Sequence, residues 1–354
     1  PSSKIKISKL FLTLSRALNI KNDEVLDHSR KVAYISLEIA EEYQLPPEDI
    51  KKLVLSALIH DIGFIDEKNK LEGQKSFVLN RETAENHSRA GYKILKRVSF
   101  LPGVSRTVFY HHHKWDGDNF DAVSGEDIPL YSRIIHLADR IEALVSSDEC
   151  ILFQIESVVK KIKSKSGSWF DPKLVDVFSK LAKKEYFWLN LSSNEYNKIL
   201  NKWGKNTKHN INLRDLEEFA SVTAHLIDRV SPFTARHSSG VATVAAMITH
   251  ELGYPEREQR AMRIAGLFHD LGKLIISKDI LEKKAQLSEK QFRLIKQHPY
   301  YTHRLLKMID GLGNIAEWAA LHHERLDGSG YPYHLKSEQL PYGSKIMAVS
   351  DIFQ

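Results

Sequence analysis

The chain repeats itself at a distance of about 210 residues, and the repeat falls on histidines and aspartates. "DHSRKVA" holds His28 and "RHSSGVA" holds His237, 209 positions apart. "LIHDIGF" holds His60 and Asp61, and "LFHDLGK" holds His269 and Asp270, again 209 apart. "NHSRAGYKIL" holds His87 and "QHPYYTHRLL" holds His298, 211 apart. His111 and His112 answer to His322 and His323 at the same 211, and Asp139 in "HLADRIE" answers to Asp351 in "AVSDIFQ" at 212. Ten of the 17 histidines thus occupy five positions shared by the two halves. A lone buried histidine is ordinarily a hydrogen-bonded core residue. Five of them recurring at nearly fixed spacing require a shared purpose, and two copies of one fold.

The segments around these residues are helical. "EVLDHSRKVAYISLEIAEEYQL" carries Val32, Ile35, Ile39 and Tyr43 at helical spacing, and "DLEEFASVTAHLIDRV" carries Leu216, Phe219, Val222, Leu226 and Val230. Strand-like alternation is rare. An all-α chain is therefore expected, built of two tandem domains. The first is placed at residues 1–203 and the second at 211–354, with "WGKNTKHNIN" as a polar linker. On the repeat's logic a helical tail of about 50 residues would follow Gln354 in a complete second domain.

Apolar residues make up 42% and charged residues 27%, an ordinary globular composition. The net charge of +6 is mild; the densest basic run, "KKIKSK" at 160–165, reads as a solvated helix face rather than a duplex-binding surface. The single cysteine, Cys150, excludes an internal disulfide framework and a thiolate metal site, and fits a cytoplasmic setting. No run of 18 apolar residues exists, so no membrane insertion is expected; residues 1–20 read as an amphipathic helix.

Histidine and aspartate without cysteine form an N/O donor set suited to Fe, Mn, Zn, Co or Ni. Seven donors per half exceed the needs of one ion and suggest two, about 3.5–4 Å apart, with one carboxylate bridging. Such a pair lowers the pKa of a bridging water and stabilises charge on phosphoryl oxygens, so hydrolysis of a phosphate ester is the natural reaction. Lys273, three residues after Asp270, would add an ammonium for a non-bridging phosphate oxygen; a solvated surface lysine is the ordinary alternative. In "HHERLDGSGYP", residues 322–332, Gly328 and Gly330 permit unusual backbone angles, Pro332 stiffens the exit and Tyr331 anchors the loop. That stretch reads as a shaped loop beside the histidine pair.

These residues resemble the HD superfamily of metal-dependent phosphohydrolases. The second half resembles its HD-GYP branch through "RHS" at 236–238, "HDLGK" at 269–273, "QHP" at 297–299, "HHERLDGSGYP" and "SD" at 350–351. The resemblance implies a helical bundle that hydrolyses a cyclic dinucleotide, cyclic di-GMP or 3′,3′-cyclic GMP-AMP, with a bimetal-bridged hydroxide. By motif, His237, His269, Asp270 and Asp351 would hold one divalent transition metal ion. Asp270 would bridge to a second held by His298, His322 and His323, and Lys273 would contact the scissile phosphate. Asp327, Gly328, Gly330, Tyr331 and Pro332 would form the substrate loop. Some members hold a third ion through a glutamate four residues before the first histidine; here that position is Phe233.

The first half resembles an HD domain that keeps its ligands, His28, His60, Asp61, His87, His111, His112 and Asp139, with Glu24 four residues ahead of His28. Phe64 stands where the second half has lysine, "DGDNFDA" replaces the Gly-Tyr-Pro loop, and "SSDECILF" follows Asp139. Metal binding is expected to persist there while turnover is weak or silent, leaving a regulatory or structural domain. Two other readings stay open: a non-hydrolysing cyclic-dinucleotide sensor or adaptor, and an HD hydrolase for another nucleotide phosphate. A protein partner at the Gly-Tyr-Pro loop, or a second copy of the chain, also stays open.

Overall fold

The computed structural model describes residues 5–19, 27–66, 77–78, 80–207, 210–230 and 237–354. It is all-α; among the described residues the only strands are β1 (Ile5–Lys6) and β2 (Asn210–Ile211), which pair antiparallel with Ile5 opposite Ile211. Glu24 and Phe233 lie outside the described residues. The chain forms two compact units.

One unit comprises Asp27–Arg97 and Leu101–Thr207. Its centre is α2 (His28–Glu42), of whose 15 residues twelve are buried. A helix buried on nearly every face is a core helix, not the one-sided amphipathic helix its apolar spacing suggests. It packs against α3 (Pro47–Leu58) and α6 (Leu130–Leu144), and against α8 (Pro172–Leu181) and α10 (Glu195–Asn206). α4 (Arg81–Leu95) and α5 (Val104–Phe109) pack on each other and carry the remaining ligands; α7 (Ile151–Lys163) and α9 (Glu185–Ser192) complete the unit. Local chemistry starts these helices. Pro47 opens α3 with Glu48 and Asp49 in the first turn. Asn80 caps α4 by accepting the Glu82 N–H at 2.9 Å.

The second unit holds α11 (Leu213–Val230), α12 (His237–Glu251), α13 (Glu256–Phe268), α14 (Lys278–Leu281), α15 (Glu289–Ile295), α16 (His298–Leu306), α17 (Ile315–Ala320) and α18 (Tyr342–Phe353). It also takes in β1 and α1 (Ile7–Asn19), which the sequence assigns to the first domain. The reason is an apolar stripe on α1. Ile7, Leu10, Phe11, Leu14 and Ala17 are all buried, and the Phe11 ring lies 5.4 Å from that of Phe219 on α11. α1 packs directly on the 3₁₀ turn Leu271–Ile275 that carries Lys273. The short stretch Val98–Phe100 joins the same unit, where Ser99 Oγ donates to Glu218 at 2.7 Å.

Each unit brings the turn after its His-Asp pair against the next ligand helix through a glycine. A Cβ on Gly63 would lie 1.9 Å from the His87 carbonyl oxygen, and one on Gly272 would lie 2.0 Å from that of His298. No side chain can relieve such a contact, because the obstacle is backbone. Gly272→Ala is therefore expected to destabilise its domain by about 1–3 kcal/mol and to lower the metal content of that domain. Thermal melting and metal analysis check this; an unchanged melt and full metal content would contradict the close approach.

Candidate metal centres

Three of the candidate ligands of the second unit sit at or just beyond helix ends. His269 directly follows α13, His298 opens α16 just beyond α15, and His322 follows α17. The last carbonyls of a helix lack intrahelical partners, and these imidazoles supply one. His269 Nδ1 donates to the Gly266 carbonyl at 2.7 Å, His298 to Ile295 at 2.8 Å, and His322 to Ala319 at 2.7 Å. A carbonyl only accepts, so Nδ1 carries a proton, and wherever the imidazole is neutral Nε2 keeps a lone pair facing inward.

Those lone pairs converge. His298 Nε2 and His322 Nε2 stand 3.2 Å apart, and His269 Nε2 is buried with no hydrogen-bond partner. Two neutral imidazole lone pairs at that distance repel unless a cation lies between them. Burial pushes the pKa values of His298, His322 and His323 down to about 3, so no proton plays that part. Asp270 faces both ways. Its Oδ2 lies 3.2 Å from His269 Nε2 and 3.9 Å from His237 Nε2, whereas its Oδ1 lies 3.2 Å from His298 Nε2 and 3.9 Å from His322 Nε2. Asp351 Oδ1 lies 3.0 Å from His237 Nε2 and 3.5 Å from His269 Nε2, and its Oδ2 3.8 Å from His323 Nδ1. The other six residues expected as ligands thus surround the Asp270 carboxylate in two groups: His237, His269 and Asp351 on one side, His298, His322 and His323 on the other. Bonds of about 2.1 Å to a metal ion set neighbouring donors about 3 Å apart, so the donor set fits one ion on each side of Asp270.

The field is strongly polarised. Burial alone would raise the Asp270 carboxyl, but His269 and Lys273 beside it hold it well below the usual range. Burial lowers His269, yet Asp270 and Asp351 overcome this and push it up to about 10. The same pull favours a divalent cation at that point. Lys273 Nζ lies 2.6 Å from Asp270 Oδ2; burial disfavours its charge, but Asp270 and Asp351 raise its pKa overall, so it remains an ammonium. The reading of Lys273 as a solvated surface residue does not match this placement.

The loop departs in detail from its expected form. Gly328 adopts φ +81°, whereas Gly330 is required for space: a Cβ there would meet the Arg325 nitrogen at 2.3 Å and Glu324 Cα at 2.4 Å. Asp327 is exposed and shapes the turn by accepting the Ser329 N–H at 2.9 Å. Tyr331 anchors on a ligand rather than on the apolar core: its N–H donates to the His323 carbonyl at 3.2 Å, and its ring centroid lies 4.9 Å from that of His323. Pro332 follows a cis peptide bond. The loop's main brace went unread in the sequence. Buried Glu324 accepts from the Tyr333 and Leu335 N–H groups at 2.7 and 3.0 Å. Its signal was a carboxylate directly after two ligands.

The first unit repeats the arrangement. The Nδ1 atoms of His60, His87 and His111 donate to the carbonyls of Ala57, Thr83 and Val108 at 2.8, 2.7 and 2.5 Å. His87 Nε2 lies 3.1 Å from His111 Nε2 and 3.0 Å from His112 Nε2. Asp61 Oδ2 faces His28 at 3.4 Å, and Oδ1 faces His60, His87 and His111 at 3.4, 3.6 and 3.7 Å. His28 and His60 group with Asp139, and His87, His111 and His112 with Asp61. Two ions fit here as well. Phe64 lies flat on His87, ring centroids 3.8 Å apart, in the place of the second unit's lysine. Two residues inside the quoted "HLADRIE" were missed. Arg140 Nη2 donates to Asp139 Oδ2 at 2.5 Å, and Glu142 accepts from His28 Nδ1 at 2.8 Å. Their signal was charge on the buried stripe of α6, where the second half has Ile352 and Gln354.

Comparison with known proteins agrees with this geometry. HD-domain family models match residues 25–144 and residues 221–354. The chain is 28% identical over 362 residues to the 3′3′-cGAMP-specific phosphodiesterase 1 of Vibrio cholerae, covering 99% of this chain and 82% of that protein. It is 34% identical over 140 residues to the cyclic di-GMP phosphodiesterase response regulator RpfG of Xanthomonas campestris pv. campestris, covering 38% of this chain and 36% of that protein. The crystal structure of a cyclic GMP-AMP-specific phosphodiesterase of V. cholerae, V-cGAP3, shares the fold at a TM-score of 0.66 and 20% identity, over 99% of both chains. Each matched span contains one complete set of seven candidate ligands, and the chain belongs to the HD-domain family, with two such domains in tandem.

Proposed function

We propose that this chain is a cyclic-dinucleotide phosphodiesterase whose turnover takes place in the second domain. The observation that carries this reading is Asp270, which offers one oxygen to each of two groups of inward-facing imidazoles and holds the Lys273 ammonium against itself. Two divalent ions held there would supply, near neutral pH, an activated water and charge stabilisation on phosphoryl oxygens. The near-full-length kinship to a cyclic GMP-AMP phosphodiesterase supports the substrate class, and 3′,3′-cyclic GMP-AMP is the preferred reading over cyclic di-GMP.

Within that reading the chain's own groups have separate tasks. His237, His269 and Asp351 would hold one ion and His298, His322 and His323 the other, with Asp270 available to each group. Lys273 binds a non-bridging oxygen of the scissile phosphate, and α1 behind its turn keeps it in place. Tyr331, kept protonated because burial pushes its pKa up to about 12, packs on His323 and walls the site on the loop side. Phe64 cannot bind a phosphate oxygen, which favours a regulatory or structural role for the first domain.

Three outcomes are expected. With Mn²⁺ or Fe²⁺ supplied, Asp270→Ala abolishes hydrolysis of 3′,3′-cyclic GMP-AMP and cyclic di-GMP, and Lys273→Met lowers kcat by about 10²–10³-fold. Absence of turnover in the unsubstituted chain with metal bound would favour the sensor reading. His60→Ala combined with Asp61→Ala should leave most turnover intact, and near-complete loss in a folded variant would refute a silent first domain. Because the Asp270 and Asp351 carboxylates raise His269, metal must displace a proton there. Affinity should therefore rise with pH from 6 to 8, and binding should release protons; calorimetry in buffers of different ionisation enthalpy reads that release directly.

A further inference from the structure

The candidate ligands of the second domain are not equally well fixed. His269, His298 and His322 each spend the Nδ1 proton on a backbone carbonyl. His323 makes no such bond among the described residues; its Nδ1 stands 3.8 Å from Asp351 Oδ2, beyond hydrogen-bond reach. It is also the more open ring, with 30% of its side chain exposed against 0% for His322 and 1% for His298. Tyr331 meets it instead, its N–H on the His323 carbonyl and its ring centroid 4.9 Å from that of His323. Tyr331 in turn meets Lys296, whose ammonium lies 5.1 Å from the Tyr331 ring and 5.0 Å from the Phe292 ring. Among the described residues no carboxylate lies within ion-pair distance of that ammonium. Lys296 directly follows α15, its N–H on the Phe292 carbonyl at 3.0 Å, and the Ile295 carbonyl beside it holds His298. A chain of contacts thus runs from the helix end that fixes His298 to the ring of His323.

We propose that Lys296 and Tyr331 are positioning residues that orient His323, so that the affinity of the ion on the His298, His322 and His323 side is set by the loop. The inference rests on the reading that one ion sits on each side of Asp270. An ammonium is drawn to the negative face of an aromatic ring, and this one has no competing carboxylate to draw it elsewhere. Held there, it keeps the Tyr331 ring against an imidazole that its own backbone does not hold. Partners behind a metal ligand fix its ring direction and tune its affinity. The first domain meets the same need with a different residue. His112 likewise stands 3.8 Å from its aspartate, Asp139. His136 lies edge-on to it with centroids 6.2 Å apart, and Phe170 backs His136 at 5.2 Å. The second domain has Ala348 in the place of His136, and no ring there to do this. Tyr331 supplies the ring from the loop.

The test is calorimetric titration of Mn²⁺ into the full chain carrying His60→Ala and Asp61→Ala, which disable the donor groups of the first domain. Two ions are expected to bind. Adding Tyr331→Ala should weaken one of them about 10–100-fold and leave the other unchanged, whereas Tyr331→Phe, which keeps the ring, should hold both. Lys296→Met should weaken the same ion about two- to fivefold, and Lys296→Arg should restore it, since a guanidinium also lies over a ring. Lys296→Met and its rescue serve if Tyr331→Ala fails to fold. Two ions with affinities unchanged by Tyr331→Ala and Lys296→Met would overturn the brace alone, as would equal weakening of both ions or a Lys296→Arg chain no better than Lys296→Met. Fewer than two ions before the loop is altered would overturn the two-ion reading and the brace with it, so the two failures are told apart.

Discussion

Everything in each domain is arranged around an imidazole whose Nδ1 proton is spent on its own backbone. Tying His269, His298 and His322 to the terminal carbonyls of α13, α15 and α17 solves a helix-end problem and a ligand problem together. The proton has one destination, so the Nε2 lone pair has one direction. Several such lone pairs converging without water would be costly in a buried site unless a cation joins them. The helices therefore end where they do because their last carbonyls and the donor set share the same side chains. The glycine after each His-Asp pair follows from the same demand, since it lets the turn approach the backbone of the next ligand.

The two domains keep this frame and differ in what surrounds it. The second has an ammonium on its shared carboxylate and a loop braced by Glu324. The first has an aromatic ring on His87, a guanidinium on Asp139, and His113 in the position of Glu324, with Nε2 2.8 Å from Asp121. His28 is fixed by Glu142, and although burial lowers its proton affinity, that carboxylate together with Asp139 and Asp61 raises its pKa well above the usual value. The donor positions are thus tolerant of different second partners, whereas the charge around them is not neutral decoration. It decides which side of the cluster an anion can approach.

Much of the site was legible in the sequence because a ligand set repeated in full is improbable by any other route. The recurrence of residue types at matching intervals pointed to the set as a whole, whereas the grouping of His237 with Asp351, or of His298 with His322, came from the resemblance to the HD superfamily. Arg140 and Glu142 were in plain view within "HLADRIE" but had no counterparts to draw attention to them, since the second half reads Ile352 and Gln354 there. The contact of Lys296 with Tyr331 was not legible, because it joins separate segments of the chain with no repeat to mark it. The all-α class followed from periodicity, yet the same periodicity described α2 as one-sided, and its near-complete burial depends on helices that arrive more than 100 residues later.

The placement of β1 and α1 has a consequence for how the chain comes to be made. Ile5 pairs with Ile211, so the first strand leaves the ribosome 206 residues before its partner. At about 5–20 residues per second, that interval is on the order of 10–40 s. During it the first domain can fold to completion, while Leu10, Phe11 and Leu14 wait with no partner surface yet synthesised. The helix that will support the Lys273 turn is thus made well before that turn and is among the last to find its place. A nascent chain stalled between the halves would carry a finished domain preceded by an apolar, unpaired segment, which is the kind of surface that chaperones hold.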